Sequence, residues 1–354
     1  MKTINIALLG FGTVGQGVWN LLKSNEGQIR DAHDVEFKIK KILVPNLEKD
    51  RGIEEAKALF TTDFAEIEQD REIDIVLELI GKSGKTLDYM LRSLRAGKHL
   101  VSANKHILAR EAKALYEEAD RAKRMIRFEA SVCGAIPIIN LMTESLAANQ
   151  INRVMGIMNG TSNFILSKMA KEGSSYEAVL KEAQELGYAE SDPTDDVKGM
   201  DAANKVVILA SLAFNSLFTL DKVFVKGIDE IRIEDFNDAE KQDCTIKLIA
   251  DAEKAKDGVR ISVRPCFVKK SHPLATVGDA FNAVFVDANC AGEMSFVGRG
   301  AGSLPTASAV VADCIDIAIK RNGEPDYSYF KRVSGNLAQI DTCKLEHLGF
   351  PVIG

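Results

Sequence analysis

The stretch that decides the fold is Ile4–Gly15, which reads INIALLGFGTVG. Its first half, Ile4–Leu9, is almost wholly apolar, as is typical of a parallel strand buried on both faces. A G-x-G-x-x-G turn follows at once, and the apolar periodicity after it predicts a helix through Val18 and Leu22. In this context the turn predicts that the phosphates of a nicotinamide dinucleotide lie at the helix N-terminus. The alternative, a purely structural turn in a non-binding domain, fits the context less well.

The three glycines of this turn have separate tasks. Gly10 permits the tight turn, Gly12 lets the backbone approach the pyrophosphate, and Gly15 lets helix and strand pack closely. The candidate cofactor-binding residues here are Gly10, Phe11, Gly12, Thr13, Val14 and Gly15.

The pattern of the turn continues outward as alternating strands and helices. Further strands are predicted over Val35–Val44, Ile73–Ile80, His99–Ser102 and Met125–Ala130, with helices over Thr86–Ala96 and Ile107–Ala122. This βαβ alternation predicts an α/β fold, an N-terminal Rossmann domain with a doubly wound parallel sheet over residues 1–135. A late helix over Thr306–Ile319 is expected to rejoin it at about 303–320.

A different pattern occupies residues 136–302. Helices are predicted over Ile138–Ala148, Ser162–Glu172, Tyr176–Leu186 and Met200–Phe214, and strands over Val154–Met158, Ala283–Asp287 and Met294–Val297. Thr245–Ala255 and Val259–Val268 flank Lys256-Asp257-Gly258, which is a hairpin signal. We therefore predict a second, α+β domain that holds the substrate, followed by a tail over 321–354.

The composition narrows the class of protein. The chain has 354 residues, is 46% hydrophobic and carries 45 basic against 51 acidic side chains. No long basic run favours nucleic acid, and no apolar run approaches the roughly 18 residues of a membrane span. The first residues resemble a strand rather than a signal peptide. The six scattered cysteines indicate reduced thiols in a cytoplasm, and each is expected to be a small buried apolar residue.

The choice between the two nicotinamide cofactors depends on the end of the second strand. NAD(H) binding usually needs an acid there for the ribose 2′-hydroxyl, but Val44 is followed by Pro45-Asn46-Leu47. Lys49 and Arg51 lie just beyond and could hold a 2′-phosphate, or could be solvated loop charges. NADP(H) is weakly favoured, and NAD(H) stays open.

Two short polar segments follow predicted strands. Ser102-Ala103-Asn104-Lys105 comes after a parallel strand, so Lys105 is expected at the ligand edge of the sheet rather than on an unrelated surface. Asn159-Gly160-Thr161-Ser162-Asn163 stands between a strand and a helix. Residues of this kind cap a helix or grip a ligand carboxylate, and by pattern alone a cap is favoured.

An acidic loop leads into an apolar helix. Gly187–Asp196 is rich in carboxylates, and Asp201 and Lys205 share one helical face four residues apart. A surface ion pair is the simple interpretation. Because Val206–Leu209 are apolar, the helix is expected to be buried, which favours a site that grips a polar substrate.

With these segments in hand, the sequence resembles the homoserine dehydrogenase family over roughly residues 4–320. The motifs that carry the resemblance occur in order: the glycine turn, Ala103-Asn104-Lys105, Glu129-Ala130-Ser131-Val132, Asn159–Asn163, Gly187–Glu190, Asp192-Pro193-Thr194, Gly199–Ala203 with Lys205, Gly298–Gly302 and Pro305-Thr306. Any one could occur by chance, whereas the ordered set is specific.

The resemblance implies NAD(P)H-dependent, reversible reduction of L-aspartate 4-semialdehyde to L-homoserine, in threonine and methionine biosynthesis. It implies that Lys205 handles the proton at the reacting oxygen, which suits a cation beside developing negative charge, and that Lys105 and Asp201 position the substrate. Glu190, with Asp195 nearby, would bind the substrate ammonium group. The remaining implied residues are Thr161 and Tyr188 for substrate, and Thr13, Val14, Ser102, Lys105 and the Gly300–Gly302 loop for cofactor.

The resemblance also implies a monovalent cation, Na⁺ or K⁺, held by the Glu129 side chain and the carbonyls of Val132, Gly134 and Ile136. It implies a homodimer formed through the second domain. This sequence departs from the usual family pattern where Lys82 follows Gly81 and where Ala135 follows Gly134. A C-terminal regulatory domain, and feedback inhibition through one, are not expected.

Two other functions stay open on sequence alone. A related dehydrogenase could act on another amino-acid semialdehyde. A cofactor-binding sensor could keep the glycine turn without catalysis, although it would not need Lys105, Lys205, Glu190 and Asp201 together.

Overall fold

The computed structural model describes residues 1–81, 84–320, 335–343 and 349–354. The chain divides into two compact units. Unit 1 comprises Met1–Pro137 and the segment that begins at Ala301, and unit 2 comprises Ile138–Gly300 and the described residues from Gly335 onward.

The elements follow one another along the chain in four runs. The first run is β1 (Lys2–Leu9), α1 (Thr13–Ser24), α2 (Glu26–His33), β2 (Val35–Leu43), β3 (Phe60–Thr61), α3 (Ala65–Glu68), β4 (Ile75–Glu78), α4 (Thr86–Arg95), β5 (His99–Ser102), α5 (Lys105–Ala122) and β6 (Ile126–Arg127). The second is α6 (Ile138–Asn140), β7 (Ile151–Ile157), α7 (Gly160–Glu172), α8 (Tyr176–Glu185), α9 (Thr194–Val197) and α10 (Met200–Ala213). The third is β8 (Phe224–Val225), α11 (Ile233–Glu240), β9 (Cys244–Ala255), β10 (Gly258–Lys269), β11 (Phe281–Ala288) and β12 (Gly292–Arg299). The last is α12 (Ser303–Lys320) and β13 (Val352–Ile353).

Unit 1 is built on a parallel sheet. Among its described residues six strands lie in the order β3-β2-β1-β4-β5-β6, and every neighbouring pair is parallel. The apolar side chains of β1 are buried from Ile4 to Leu9 because helices cover both faces of such a sheet. Helix α12 packs on α1, where Gly17 is required: a Cβ there would lie 2.5 Å from the Ser303 carbonyl oxygen. The predicted Rossmann sheet is confirmed, and α12 belongs to unit 1.

Unit 2 is an α+β unit around a mixed sheet. In the part that the structure describes, the strands lie in the order β12-β11-β7-β9-β10-β13, and β8 pairs with β10. The long hairpin of β9 and β10 is antiparallel and turns at Lys256–Asp257, as the Asp-Gly signal predicted. Helices α7 and α10 pack on this sheet and bring the polar motifs of unit 2 with them.

Several predicted elements are wrong in extent; the strands predicted over Val154–Met158 and Met294–Val297, for example, are the longer β7 and β12. The strand predicted over Met125–Ala130 is limited to β6, and a 3-10 turn over Glu129–Ser131 follows, with the Glu129 backbone N–H donating to the Asp313 carboxylate at 2.9 Å. The helix predicted over Ile138–Ala148 is the short α6 followed by a π-helical turn over Leu141–Ser145. The strand predicted over Ile73–Ile80 narrows to β4. The two-residue strands β3, β8 and β13 have no periodicity that a sequence pattern could reveal.

All six cysteines are free thiols. Cys133, Cys244, Cys266 and Cys314 are buried and free, as expected, but Cys290 and Cys343 are free and exposed, which corrects the expectation of six buried thiols. Cys290 lies in the turn between β11 and β12, where a side chain faces solvent.

The predicted tail is described only in part, because residues 321–334 and 344–348 lie outside the described residues. The described part of the tail joins unit 2, where Phe267 pairs with Val352. Lys82, at which the sequence departs from the family pattern, also lies outside the described residues.

Candidate active site

The glycine-rich turn of unit 1 has an open face. Gly10 has a φ of +101°, and a Cβ there would lie 2.9 Å from the Leu79 carbonyl oxygen. A Cβ on Gly15 would lie 2.6 Å from the Gly10 oxygen, whereas nothing stands within 4 Å of the Cβ position of Gly12. The crowded glycines therefore close the turn, and the backbone at Gly12 is free for close approach by a ligand.

The other residues of the turn differ in what they can offer. Thr13 is exposed at the start of α1, and its carbonyl accepts the Ser303 hydroxyl at 2.8 Å. Phe11 is buried and packs edge-on against Trp19 and Phe60, so that only its backbone is available to a ligand. Val14 is half-buried against the same core.

A buried carboxyl group joins the ends of β4 and β5. Glu78 is fully buried; Oε2 accepts the Ser102 hydroxyl at 2.7 Å, and Oε1 accepts the Ile80 N–H at 2.9 Å. Burial raises the pKa of Glu78, although these hydrogen bonds oppose the shift. Sequence reasoning missed Glu78. The sequence feature that could have revealed Glu78 is a single acidic residue inside an apolar strand.

The same network sets the start of α5. The Ser102 hydroxyl accepts the Asn104 N–H at 3.0 Å, and the Asn104 side chain donates to the Gly81 carbonyl at 2.9 Å. Asn104 also caps α5 by accepting the Ile107 N–H at 3.2 Å. Lys105, half-buried, is therefore the first residue of a helix whose N-terminus is fixed to the edge of the sheet.

The segment predicted to hold a cation lies in a tight, buried turn of unit 1. Glu129, Val132 and Ile136 are buried, and Cys133 and Gly134 both have left-handed backbone with φ of 54° and 51°. Burial, and next the charge of Glu129, raise the pKa of Asp313 well above its usual value. Within the described ranges no group of three or more His, Cys, Asp or Glu side chains has the geometry of a metal site.

In unit 2, a buried ion pair lies on α10. Lys205 Nζ stands 2.6 Å from Asp201 Oδ2 and donates to the Met158 carbonyl at 2.7 Å. Asp201 is 5% and Lys205 7% exposed. The surface-pair interpretation is therefore wrong. Because removing charges from water is costly, a pair buried beside polar motifs indicates a functional site.

Asn159 connects this pair to two other segments. Its side-chain oxygen caps α7 by accepting the Ser162 N–H at 2.8 Å. Its amide nitrogen donates to Asp196 Oδ1 at 2.7 Å and to Asp201 Oδ2 at 2.9 Å. The cap is therefore real, and the same residue also holds two carboxylates. Asp196, which sequence reasoning did not single out, joins the cluster by this contact.

The remaining predicted substrate residues lie along the acidic loop. Thr161 donates its hydroxyl to the Tyr188 carbonyl at 2.6 Å, and the Tyr188 ring packs on Phe164 with centroids 4.7 Å apart. Glu190 is exposed, and its backbone carbonyl accepts the Gln184 side chain at 3.1 Å. Asp195 is half-buried in α9, beside Asp196.

At the end of β12, Gly300 leaves room for a neighbouring amide. A Cβ on Gly300 would lie 2.1 Å from Asn282 Cγ. The Asn282 side chain is fully buried, and neither its nitrogen nor its oxygen has a hydrogen-bond partner. Gly302 has a φ of +130° and precedes α12. Sequence reasoning did not identify Asn282.

The side chains of Lys49 and Arg51, which follow β2, differ in how firmly the structure holds them. Arg51 lies over the Phe60 ring, 5.2 Å from its centroid, and donates to the Lys49 carbonyl at 2.8 Å. Phe60 in turn contacts Phe11 of the glycine turn. Arg51 is thus held beside the turn by stacking, whereas the Lys49 side chain is exposed.

Comparison with known proteins gives one consistent family. A family model described as homoserine dehydrogenase matches residues 137–315, and one described as its NAD binding domain matches residues 10–129. The homoserine dehydrogenase of Bacillus subtilis is 44% identical over 317 residues, 90% of this chain and 73% of that protein. The crystal structure of a homoserine dehydrogenase from Thiobacillus denitrificans has a TM-score of 0.90 at 37% identity, covering 97% of this chain and 80% of that one. A hyperthermophilic archaeal homoserine dehydrogenase in complex with NADPH has a TM-score of 0.76 at 26% identity, covering 90% of this chain and 98% of that one.

Among the described residues, no helix combines the length and the apolar character needed to cross a membrane.

Proposed function

The chain belongs to the homoserine dehydrogenase family, and on that premise we propose that it reduces L-aspartate 4-semialdehyde to L-homoserine reversibly, with Lys205 as the proton donor. It is an oxidoreductase with an NAD-binding domain. The observation that carries the assignment of Lys205 is its burial in contact with Asp201, at 2.6 Å. A buried ammonium beside a substrate loop is suited to an oxygen on which negative charge develops.

In unit 2, Lys205 transfers the proton, and Asp201 and Met158 position its ammonium group. When bound, the reduced nicotinamide supplies the hydride that adds to the aldehyde carbon. As the carbonyl π bond breaks towards oxygen, Lys205 Nζ donates the proton that this oxygen needs, and in the reverse direction it accepts that proton. The Asp201 carboxylate and the Met158 carbonyl both accept hydrogen bonds from this ammonium and so fix its position.

Substrate recognition is assigned to the acidic loop and to Lys105. The exposed carboxylate of Glu190, with Asp195 nearby, would bind the substrate ammonium group. Thr161 and Tyr188, which are joined by a hydrogen bond, would line the pocket. Lys105, at the first position of α5, would position the substrate and contact the cofactor.

NADP(H) is the proposed cofactor, and the preference over NAD(H) rests on Arg51 rather than on the glycine turn. The open backbone at Gly12 suits the pyrophosphate. The family resemblance implies that Ser102 and Gly302 would contact the cofactor as well. Arg51, stacked on Phe60, offers a fixed guanidinium for a 2′-phosphate. The archaeal relative in complex with NADPH is consistent with this choice. NAD(H) is the alternative.

A monovalent cation, Na⁺ or K⁺, is proposed at the Glu129 turn. Its donor set would be one buried carboxylate and the carbonyls of Val132, Gly134 and Ile136, which are hard oxygen ligands. The consecutive left-handed residues at 133 and 134 curl the backbone, as a ring of carbonyls requires. Choline chloride replacing KCl or NaCl at equal ionic strength should lower the thermal midpoint of the wild type but not of Glu129→Gln.

We also propose a homodimer, working in the cytoplasm in threonine and methionine biosynthesis. Strand β12 stands at the edge of the described sheet of unit 2, with Val297 58% exposed, and β11 carries Phe281, 39% exposed. One exposed apolar side chain on the edge strand and another on the strand beside it favour a partner. Sedimentation of the wild type as a monomer would contradict the dimer.

The test of the function is turnover. Purified protein is given L-homoserine with NADP⁺ or NAD⁺ in parallel, and the absorbance band of the reduced nicotinamide is followed. The proposal expects reduced cofactor to appear, faster with NADP⁺. Turnover of a different amino-acid alcohol in place of L-homoserine would favour the related dehydrogenase, and cofactor binding without any turnover would favour the sensor.

A further inference from the structure

A buried lysine outside the predicted site has an unusual set of partners. Lys247 on β9 is 3% exposed, and its ammonium donates to Asn163 Oδ1 at 3.1 Å, Ser167 Oγ at 3.3 Å and the Val277 carbonyl at 2.6 Å. These bonds use all three ammonium protons, and every acceptor is neutral. In the described part of the chain no carboxylate forms an ion pair with it. Burial lowers the pKa of Lys247 to about 8.

The first partner, Asn163, interlocks helix α7 with a loop. Its amide nitrogen faces four loop carbonyls at 3.0–3.3 Å, those of Val277, Gly278, Asp279 and Phe281. Gly160, at the start of α7, lies so close to this loop that a Cβ would stand 2.7 Å from the Ala280 carbonyl oxygen. The position of the helix start is therefore set against the loop, and Lys247 bonds to both.

From Asn163 the contacts continue to the proposed proton donor. The Asn163 N–H donates to the Asn159 carbonyl at 3.3 Å, in the first turn of the helix. The Asn159 side chain donates to Asp201 Oδ2, the same oxygen that Lys205 contacts. Thr161 belongs to the same turn. Lys247 is thus three hydrogen-bonded contacts away from Asp201.

A cavity of about 520 Å³ lies beside Lys247 and is lined in part by Ser167, Lys168 and Thr245. The ammonium has no proton left for a ligand there, which argues against an anion site. The Asp279 carboxylate opposes the downward shift of the Lys247 pKa but forms no ion pair with the ammonium in the described part of the chain. Burying a charge without a direct ion pair is costly, and a methionine of similar length would avoid that cost. The charge is therefore expected to have a functional reason.

We propose that Lys247 is a positioning residue, which holds the Asn159–Asn163 turn against the Val277–Phe281 loop in the arrangement that the Asp201–Lys205 pair requires. This inference rests on the proposed function for its kinetic consequence, but not for its structural one. Lys247 touches neither substrate nor cofactor in this role; it acts through Asn163.

The experiment compares Lys247→Met with a matched control in the full-length protein. Lys168→Met removes another lysine that lines the same cavity, one whose ammonium pairs with Glu172 and Glu182 rather than with Asn163. Hydrogen exchange is measured without ligands, in peptides that cover 159–163 and 277–281. Kinetics with L-homoserine and the dissociation constant of NADPH are measured separately.

The expected result has three parts. Exchange in both segments rises in Lys247→Met and stays at the wild-type level in Lys168→Met. The kcat/KM for L-homoserine falls at least about tenfold, which corresponds to about 1.4 kcal/mol. The dissociation constant of NADPH, which reports unit 1, does not change.

Two results would overturn the inference. Unchanged exchange in both segments would do so even if the wild-type protein turned over no homoserine, in which case the proposed function would have failed separately. A loss of thermal stability and of NADPH binding in parallel with activity would show general unfolding instead. If Lys247→Met folds poorly, Ser167→Ala, which removes one acceptor only, is expected to give the same changes on a smaller scale.

Discussion

The Asn159→Asp substitution distinguishes two possible roles of Asn159, capping of α7 and support of the active site, because aspartate is as good an N-cap as asparagine. The substitution keeps the oxygen that accepts the Ser162 N–H, but removes the amide that donates to Asp196 and Asp201 at 2.7 and 2.9 Å. A new carboxylate would then stand within about 4 Å of two others. If capping were the whole role, the variant would match the wild type within a few tenths of a kcal/mol.

The structure gives the magnitude of the effect. Each lost hydrogen bond to a charged group is worth about 1.5–3 kcal/mol, and each close carboxylate pair adds repulsion of up to about 4 kcal/mol at an effective dielectric constant near 20. Asn159→Ala loses the same two bonds and also the cap, worth about 1 kcal/mol, but adds no charge. The repulsion exceeds the retained cap. Because two such pairs oppose one retained cap, we expect the aspartate variant to be less stable than the alanine variant by at least about 2 kcal/mol.

Urea unfolding followed by circular dichroism measures the free energy of unfolding of the wild type and of the two variants, and so gives their order of stability. The single tryptophan, Trp19, belongs to unit 1, so its fluorescence is a useful internal control for that unit. An aspartate variant as stable as the wild type, with alanine about 1 kcal/mol below both, would refute the reasoning and reduce Asn159 to a cap.

Three further predictions follow from the buried and stacked charges. Glu78→Gln places an amide where two hydrogen-bond donors converge, so the dissociation constant of NADPH should rise about tenfold in a fluorescence titration. The control Ser102→Thr keeps the hydroxyl and should bind NADPH nearly as tightly as the wild type. If Glu78→Gln bound NADPH as tightly as the wild type, Glu78 would have no role in cofactor binding. Arg51→Met should raise KM for NADPH at least about tenfold and leave KM for NADH within about twofold, because only NADPH carries the 2′-phosphate; equal effects on both would favour a general role. Since the pKa of Lys247 lies at about 8 in the folded protein against 10.5 when free, the unfolded chain binds more protons between these values, and wild-type stability relative to Lys247→Met should rise with pH across that interval by about 3 kcal/mol. A flat difference in urea-unfolding free energy across the interval would contradict it.

The features that sequence reasoning identified are local in the chain. The glycine turn, the βαβ alternation and the Asp-Gly hairpin each depend on a short pattern, and each is confirmed. The four-residue spacing of Asp201 and Lys205 placed both on one face of a helix, and the apolar residues after them predicted its burial. A spacing and a hydrophobic run were sufficient because neighbouring residues decide both.

The features that it missed depend on contacts between distant residues. Asp196 joins the site through Asn159, 37 residues earlier, and Glu78 bonds to Ser102 across two strands. Lys247 reaches Asn163 from a strand 84 residues away. In the sequence Glu78 and Lys247 are each one polar residue among apolar ones, a pattern that also fits a strand with one solvated face, whereas Asp196 is one carboxylate among several in an acidic loop. Only the packing of sheet and helices distinguishes these cases.

In the proposed reaction, hydride leaves the hydroxyl-bearing carbon of L-homoserine while Lys205 takes the proton. L-homoserine deuterated at that carbon, incubated with the protein and NADP⁺, tests it by mass spectrometry of the reduced cofactor, with Lys205→Met alongside. We expect deuterium in the reduced cofactor from the wild type, and no reduced cofactor from Lys205→Met even though NADP⁺ still binds. Reduced cofactor without deuterium, or undiminished turnover by Lys205→Met, would contradict it.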